Sequence, residues 1–163
     1  MELKLDKLEK QSGKGASIYS FRNLESGETL FDEFIKENIS HISELKDIIK
    51  RITTIGTKTG ARENFFKLNE GKPGDGVCAL YDIPASKLRL YCIRYGTTIV
   101  ILGGGGPKPK DIRALQENDK LTEENYLLRT LSEEISIRIK NGDIEFINDG
   151  YDFDGDLNFS INN

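Results

Sequence analysis

The chain has 163 residues, 37% hydrophobic and 31% charged, with a net charge of −4. That is the size and make-up of one ordinary domain able to bury a core without disulfides or metal, and no apolar run reaches the length that crosses a bilayer. Two cysteines, Cys78 and Cys92, and a single histidine, His41, cannot assemble a zinc site of the CxxC or HExxH kind, and they leave almost no room for histidine acid–base chemistry.

The first segment, MELKLDKLEK, alternates acid and base where a secretion signal would be basic and then apolar, so it reads as the start of a cytoplasmic protein. Residues 16–21 (ASIYSF) predict a short strand. Ser26 is a plausible cap for a following helix that turns Leu30, Phe31, Phe34, Ile35 and Ile39 to one face. His41 lies in the link, where a capping or surface role is expected. Ser43 begins a second helix with Leu45, Ile48, Ile49 and Ile52 inward and Gly56 as its stop, giving an αα-hairpin.

From Gly76 the period changes to two. Residues 76–83, 87–95 and 97–103 predict an antiparallel meander. With Ala85 at the centre of a three-residue loop, Val77 pairs with Ile93, Cys78 with Cys92 and Ala79 with Tyr91. Both cysteines then face the helices as buried, reduced thiols. The opposite face interleaves Lys87, Arg89, Tyr91, Tyr95 and Tyr81. Such a surface offers cations to phosphates and flat rings to the bases of single-stranded RNA, although tyrosine and arginine are also ordinary on the solvent face of a strand.

The stretch ILGGGGPKPK (101–110) is glycine-rich but not a P-loop. Pro107 precedes Lys108, and Pro109 stands where a magnesium-holding hydroxyl is required. The glycines predict a flexible turn at a strand end, after which the prolines hold Lys108 and Lys110 extended and pointing the same way. Charge is segregated here. Between Lys87 and Arg113 there are six basic residues against Asp111, whereas from Asp143 onward there are six acids and no base, a pattern of basic working surface and acidic tail.

The last helix is expected over 122–139, capped by Thr122, with Tyr126, Leu127, Leu131, Ile135 and Ile139 on its inner face and Gly142 ending it. The fold class is therefore α+β: a small antiparallel meander against an N-terminal αα-hairpin, then a C-terminal helix. Residues 1–142 form one domain, and 143–163 an acidic tail or edge strand. In the tail, Asp152, Asp154 and Asp156 fit positions one, three and five of a calcium loop, but Leu157 replaces its glycine and no glutamate closes it. A solvated tail, or a lid mimicking phosphate over the basic sheet, is the expectation.

The order helix, helix, meander, with Arg89-Leu90-Tyr91-Cys92 in place of an RLxY strand (its aromatic offset) and Lys108-Pro109-Lys110 as a K/R-x-K/R element, resembles the RelE/ParE superfamily of toxin–antitoxin toxins over residues 27–115. The resemblance implies a ribosome-dependent mRNA endonuclease working without metal or cofactor, with a cognate antitoxin, the ribosome and mRNA as partners and no membrane. It implies Arg89, Lys108 and Lys110 as catalytic residues and Lys87, Tyr91, Tyr95 and Arg113 as RNA contacts. A gyrase-directed toxin or a non-catalytic binding protein of the same fold is the alternative.

Overall fold

The computed structural model describes residues 1–81, 86–109 and 119–162. It is an α+β protein. Strands β1 (Glu2–Lys7) and β2 (Ser17–Asn23) precede helices α1 (Leu30–Glu37) and α2 (Ile42–Thr54). Strands β3 (Phe66–Lys67), β4 (Val77–Leu80), β5 (Leu88–Tyr95) and β6 (Ile99–Pro107) follow. Helix α3 (Asp119–Asn141) then leads to β7 (Ile144–Ile147), β8 (Asp152–Gly155) and β9 (Asn158–Ser160). Seven strands form one sheet in the order β3-β4-β5-β6-β2-β1-β9, and β7 and β8 form a separate hairpin. Within the large sheet only β2 and β6 run parallel, joining the meander to the N-terminal strands.

The meander has the expected register: Val77 opposes Ile93, Cys78 opposes Cys92 and Ala79 opposes Tyr91. The loop centred on Ala85 lies outside the described residues. One face of the sheet packs on the two-helix hairpin, where Phe31, Phe34, Leu45, Ile48 and Ile52 meet Ile18, Cys78, Leu90, Cys92 and Leu102. Both cysteines are buried and free on this face.

Several local expectations are corrected. Helix α1 is capped by Thr29 rather than Ser26: Thr29 Oγ1 accepts from the Asp32 amide, and the Asp32 carboxylate accepts from the Thr29 amide. Helix α2 runs past Gly56 through a π-turn (Ile55–Thr59) to Gly60, whose φ of 76° ends it. His41 occupies the cap position of α2 with no side-chain capping bond. Ile39 and Tyr126 are exposed, not inward; Leu121 and Leu128 take their share of the core instead. Strand β1 was not among the expected elements, although Leu3 and Leu5 alternate inward between exposed or half-buried charges.

The glycine run is not a turn. Strand β6 continues through Gly103–Gly106 to Pro107. Gly103 and Gly104 together oppose Tyr91, between the pairs Leu102–Cys92 and Gly105–Leu90, which makes a β-bulge. The physical reason is helix packing: a Cβ on Gly103 would lie 2.5 Å from Leu128 Cδ1, and one on Gly104 would run into the Glu124 carboxylate. Missing side chains on the strand let α3 settle directly onto it.

Residues 143–162 are built into this architecture. The turn between β7 and β8 uses positive φ at Asn148 and Asp149 (53° and 58°) and at Gly150 (86°). Strand β9 pairs antiparallel with β1 at the sheet edge, and Phe153 and Phe159 are core residues.

Candidate functional site

The sheet face opposite the cysteines is closed. Leu128, Leu131 and Ile135 of α3, fully buried, pack with Ile144 and Phe153 against Val77, Ala79, Tyr91, Ile93 and Ile101. The expected open basic and aromatic surface is thereby corrected. Tyr91 is 5% exposed, and the Tyr95 ring meets Phe153 edge-on at 5.2 Å and Phe146 at 5.9 Å. Burial, with the nearby Asp75 charge adding to it, pushes the Tyr95 hydroxyl well above the usual phenol range. Burying an apolar side chain stabilises by about 1.5–3 kcal/mol, so an amphipathic helix facing these strands covers them rather than leaving their rings to solvent. The Tyr91 ring is closed to a stacking base, and the Tyr95 ring is half-buried against the two phenylalanines.

What remains accessible lies at one end of β5 and β6. Lys87 is exposed and Arg89 half-buried. Arg89 opposes Gly106 across the ladder, and the Lys108 amide donates to the Lys87 carbonyl at 2.7 Å. Lys87, Arg89 and Lys108 therefore share one end of the sheet. The start of β5 is fixed by Glu44 of α2, whose carboxylate accepts from the Lys87 amide at 2.9 and 3.1 Å and from the Leu88 amide at 2.8 Å. Lys108 Nζ donates to Ser86 Oγ at 3.2 Å. Lys110 and Arg113 lie outside the described residues.

Acids border these cations. Lys120 of α3, beside Gly106, is held by Glu37 Oε2 at 3.0 Å and Glu124 Oε1 at 2.9 Å. Burial would lower its pKa, yet the two carboxylates outweigh that and raise it to about 12. Lys120 and Glu124 at i and i+4 were readable as a helical ion pair; the third member, Glu37, comes from α1 and was not. Arg94, part of the expected basic block, turns to the other face, where its Nε donates to the Ala61 carbonyl at 2.8 Å. The basic block of the sequence is thus divided between faces.

The tail does not lie over this end. Its most heavily engaged carboxylate is Asp152, at the other side of the covered face, and Asp156 pairs with Arg138 of α3 at 3.6 Å. Asp152 Oδ1 accepts from Lys7 Nζ at 2.9 Å, Tyr19 OH at 3.1 Å and Ser17 Oγ at 3.2 Å, and Oδ2 accepts from Asn148 Nδ2 at 2.9 Å. Asp149, Asp154 and Asp156 are exposed. Among the described residues no cluster of His, Cys, Asp and Glu is arranged to hold a metal ion, and no helix is long and apolar enough to cross a membrane.

Chemically, the β5–β6 end can take phosphate oxygens: a guanidinium offers paired N–H donors, and two ammonium groups add charge. Of the three tyrosines expected beside these cations, Tyr81 alone keeps an exposed ring. Comparison with protein-family models, with curated proteins and with solved structures finds no match for this chain.

Proposed function

We propose that the chain is a toxin of the RelE/ParE pattern, paired with a cognate antitoxin, that engages mRNA on the ribosome through phosphate contacts at the Lys87–Arg89–Lys108 end of the sheet. The observation that supports this reading is that the neighbouring cross-strand pairs Arg89–Gly106 and Lys87–Lys108 bring three cations to one end of β5 and β6, behind two helices and a meander in the expected order. In cleavage without metal, the RNA 2′-hydroxyl attacks the adjacent phosphorus. The protein must take up the hydroxyl proton, neutralise the phosphorane and protonate the leaving oxygen. Arg89 clamps the phosphate oxygens, and Lys108 or Lys110 exchanges the proton. Tyr91 has no part, being buried, and the half-buried Tyr95 is packed against Phe146 and Phe153. Action is in the cytoplasm, where ribosomes and mRNA meet.

The experiment is expression from a tightly controlled promoter, with growth and mRNA cleavage followed in the presence of ribosomes. Wild-type protein arrests growth and cleaves, and Arg89→Ala abolishes both while the melting temperature stays within a few degrees. A harmless wild-type chain that leaves mRNA intact overturns the enzymatic reading.

The second reading is a non-catalytic binding protein of the same fold. The burial of Tyr91 and the packing of Tyr95 against the C-terminal hairpin favour it, because the face that would position bases is occupied by α3. It expects no arrest and no cleavage, with binding to a partner retained in Arg89→Ala.

A further inference from the structure

A second feature of interest lies outside the β5–β6 end, between α3 and the loop that precedes β4. A cleft of about 420 Å³ is bordered there by Lys72, Gly74, Asp75, Tyr126, Arg129 and Glu133. That volume is within the range of small-ligand sites, roughly 300–1,000 Å³. The Arg129 guanidinium lies over the Tyr126 ring, 5.1 Å from its centroid, while the ring keeps 57% of its surface exposed. Arg129 Nε is itself buried, and among the described residues it has no hydrogen-bond acceptor. A planar cation held against a flat ring, with a donor nitrogen unused, is an incomplete arrangement.

The walls of the cleft are fixed in advance. Asn125 Nδ2 donates to the Glu70 carbonyl at 2.8 Å, and Ser132 Oγ to the Asp75 carbonyl at 2.5 Å, so α3 grips the loop from two points. The Asp75 carboxylate is turned to the loop backbone, accepting from the Lys72 amide at 2.7 Å and the Val77 amide at 3.0 Å. Its charge is thereby partly answered before any ligand arrives. Lys72 is exposed at the mouth. Gly74, at φ 81°, leaves open space where a side chain would project. Glu133 is the one acid left facing solvent at the rim, one helical turn from Arg129, and no ion pair joins them among the described residues.

We infer that this cleft binds one base-and-phosphate unit of single-stranded RNA, the base stacking on Tyr126 and the phosphate taking Arg129 and Lys72. The ring supplies a face that any base can use, and the two cations supply charge for the backbone; together they make a sequence-tolerant contact. An acidic peptide would satisfy the cations but leave the ring without a planar partner. The inference rests on the RNA reading above and adds to it a contact remote from the chemistry.

The test is a titration of ¹⁵N-labelled full-length protein with a single-stranded RNA hexanucleotide, with amide shifts followed by residue and affinity measured against salt. Expected are shifts over residues 72–76 and 126–133. Tyr126→Ala and Arg129→Ala should each weaken binding about tenfold, a stacking-sized loss, while Tyr126→Phe keeps the affinity. Lys72→Ala should reduce the slope of log K against log salt by about 0.7, the share of one phosphate on a single strand. Tyr126 is exposed and Lys72 lies on a surface loop, so these variants fold. Shifts confined to Lys87, Arg89 and Lys108 overturn the inference and leave the proposed function standing. Shifts at the cleft in a protein that neither arrests growth nor cleaves mRNA uphold the cleft and overturn the toxin reading. Binding of a hexaglutamate peptide as tight as that of RNA, or no RNA binding at all, overturns the inference.

Discussion

Asp152 joins the C-terminal hairpin to β1 and β2 through three side chains, Lys7, Ser17 and Tyr19, and its ionisation state is coupled to stability. Burial opposes its charge, but the hydrogen bonds from Asn148 and Lys7, the Lys7 charge and the Tyr19 hydroxyl outweigh that and hold its pKa below the usual carboxylate value. A carboxyl with a depressed folded pKa stabilises fully above its unfolded pKa, about 3.9, and loses that contribution as pH falls through the folded value. Asp152→Asn should therefore cost about 1–3 kcal/mol at neutral pH, the worth of hydrogen bonds to a charged group, and flatten the acid limb below about pH 4. Urea titrations at pH 7 and pH 3 check both. The cysteines allow a second forecast. Burial pushes the Cys78 thiol up to about 12, against the opposing pull of Arg94, and places Cys92 well above its ordinary value. A disulfide-exchange reagent at pH 8 should leave the native protein unlabelled and titrate both thiols only after guanidinium is added. The placement of this pair was legible in the sequence, because a short loop fixes the register and two apolar residues opposite each other choose the inner face. The Asp152 network was not, since it joins residues 7, 17, 19, 148 and 152 through tertiary folding alone.

At the level of elements, β6 and α3 define each other. Gly103→Ala would place a methyl 2.5 Å from Leu128 Cδ1, and overpacking of this kind costs about 1–3 kcal/mol. The double variant Gly103→Ala/Leu128→Ala should cost less than the sum of its parts, because the second change opens the space the first needs; thermal melts of all four proteins test this coupling. A run of glycines reads as a turn because the residue type records freedom of the backbone and not what presses on it. The covered face was misread for a related reason. In β5, Arg89, Tyr91 and Tyr95 suggest solvent, yet Ile93 lies on the same face, and its neighbours Ile99 and Ile101 in β6 are fully buried. The nearly continuous apolar run of β6 was the available signal: a strand apolar on both sides belongs to the middle of a sheet with a layer on each face. The two-helix hairpin was easier to read, its apolar residues recurring at three and four.

Taken as a molecule, the protein has one sheet between two layers, and residues 143–162 belong to that construction. Removing residues 143–163 should not leave an intact fold with a freer basic surface. It takes away Ile144, Phe153 and Phe159, each at most 5% exposed, and loss of one large core side chain alone costs about 2–5 kcal/mol. The truncated chain should lose its cooperative unfolding transition, seen by near-UV circular dichroism. A truncated chain that melts like the parent would contradict this placement of the tail. The α+β class and the meander were legible because local patterns decide them. The seven-strand order was not, since β2 meets β6 across half of the chain and β1 meets β9 across nearly all of it.

That last pairing also has a consequence for synthesis. The Leu3–Phe159 and Glu2–Ser160 partners lie far apart along the chain, so β1 leaves the ribosome long before β9 and its outer edge waits while everything between them is made. Through that interval it presents unpaired N–H and C=O groups to any neighbouring nascent chain, an exposure that native proteins ordinarily blunt. The charges of Glu2, Lys4 and Asp6, set between the leucines that later turn inward, keep this early edge repellent until its partner is made.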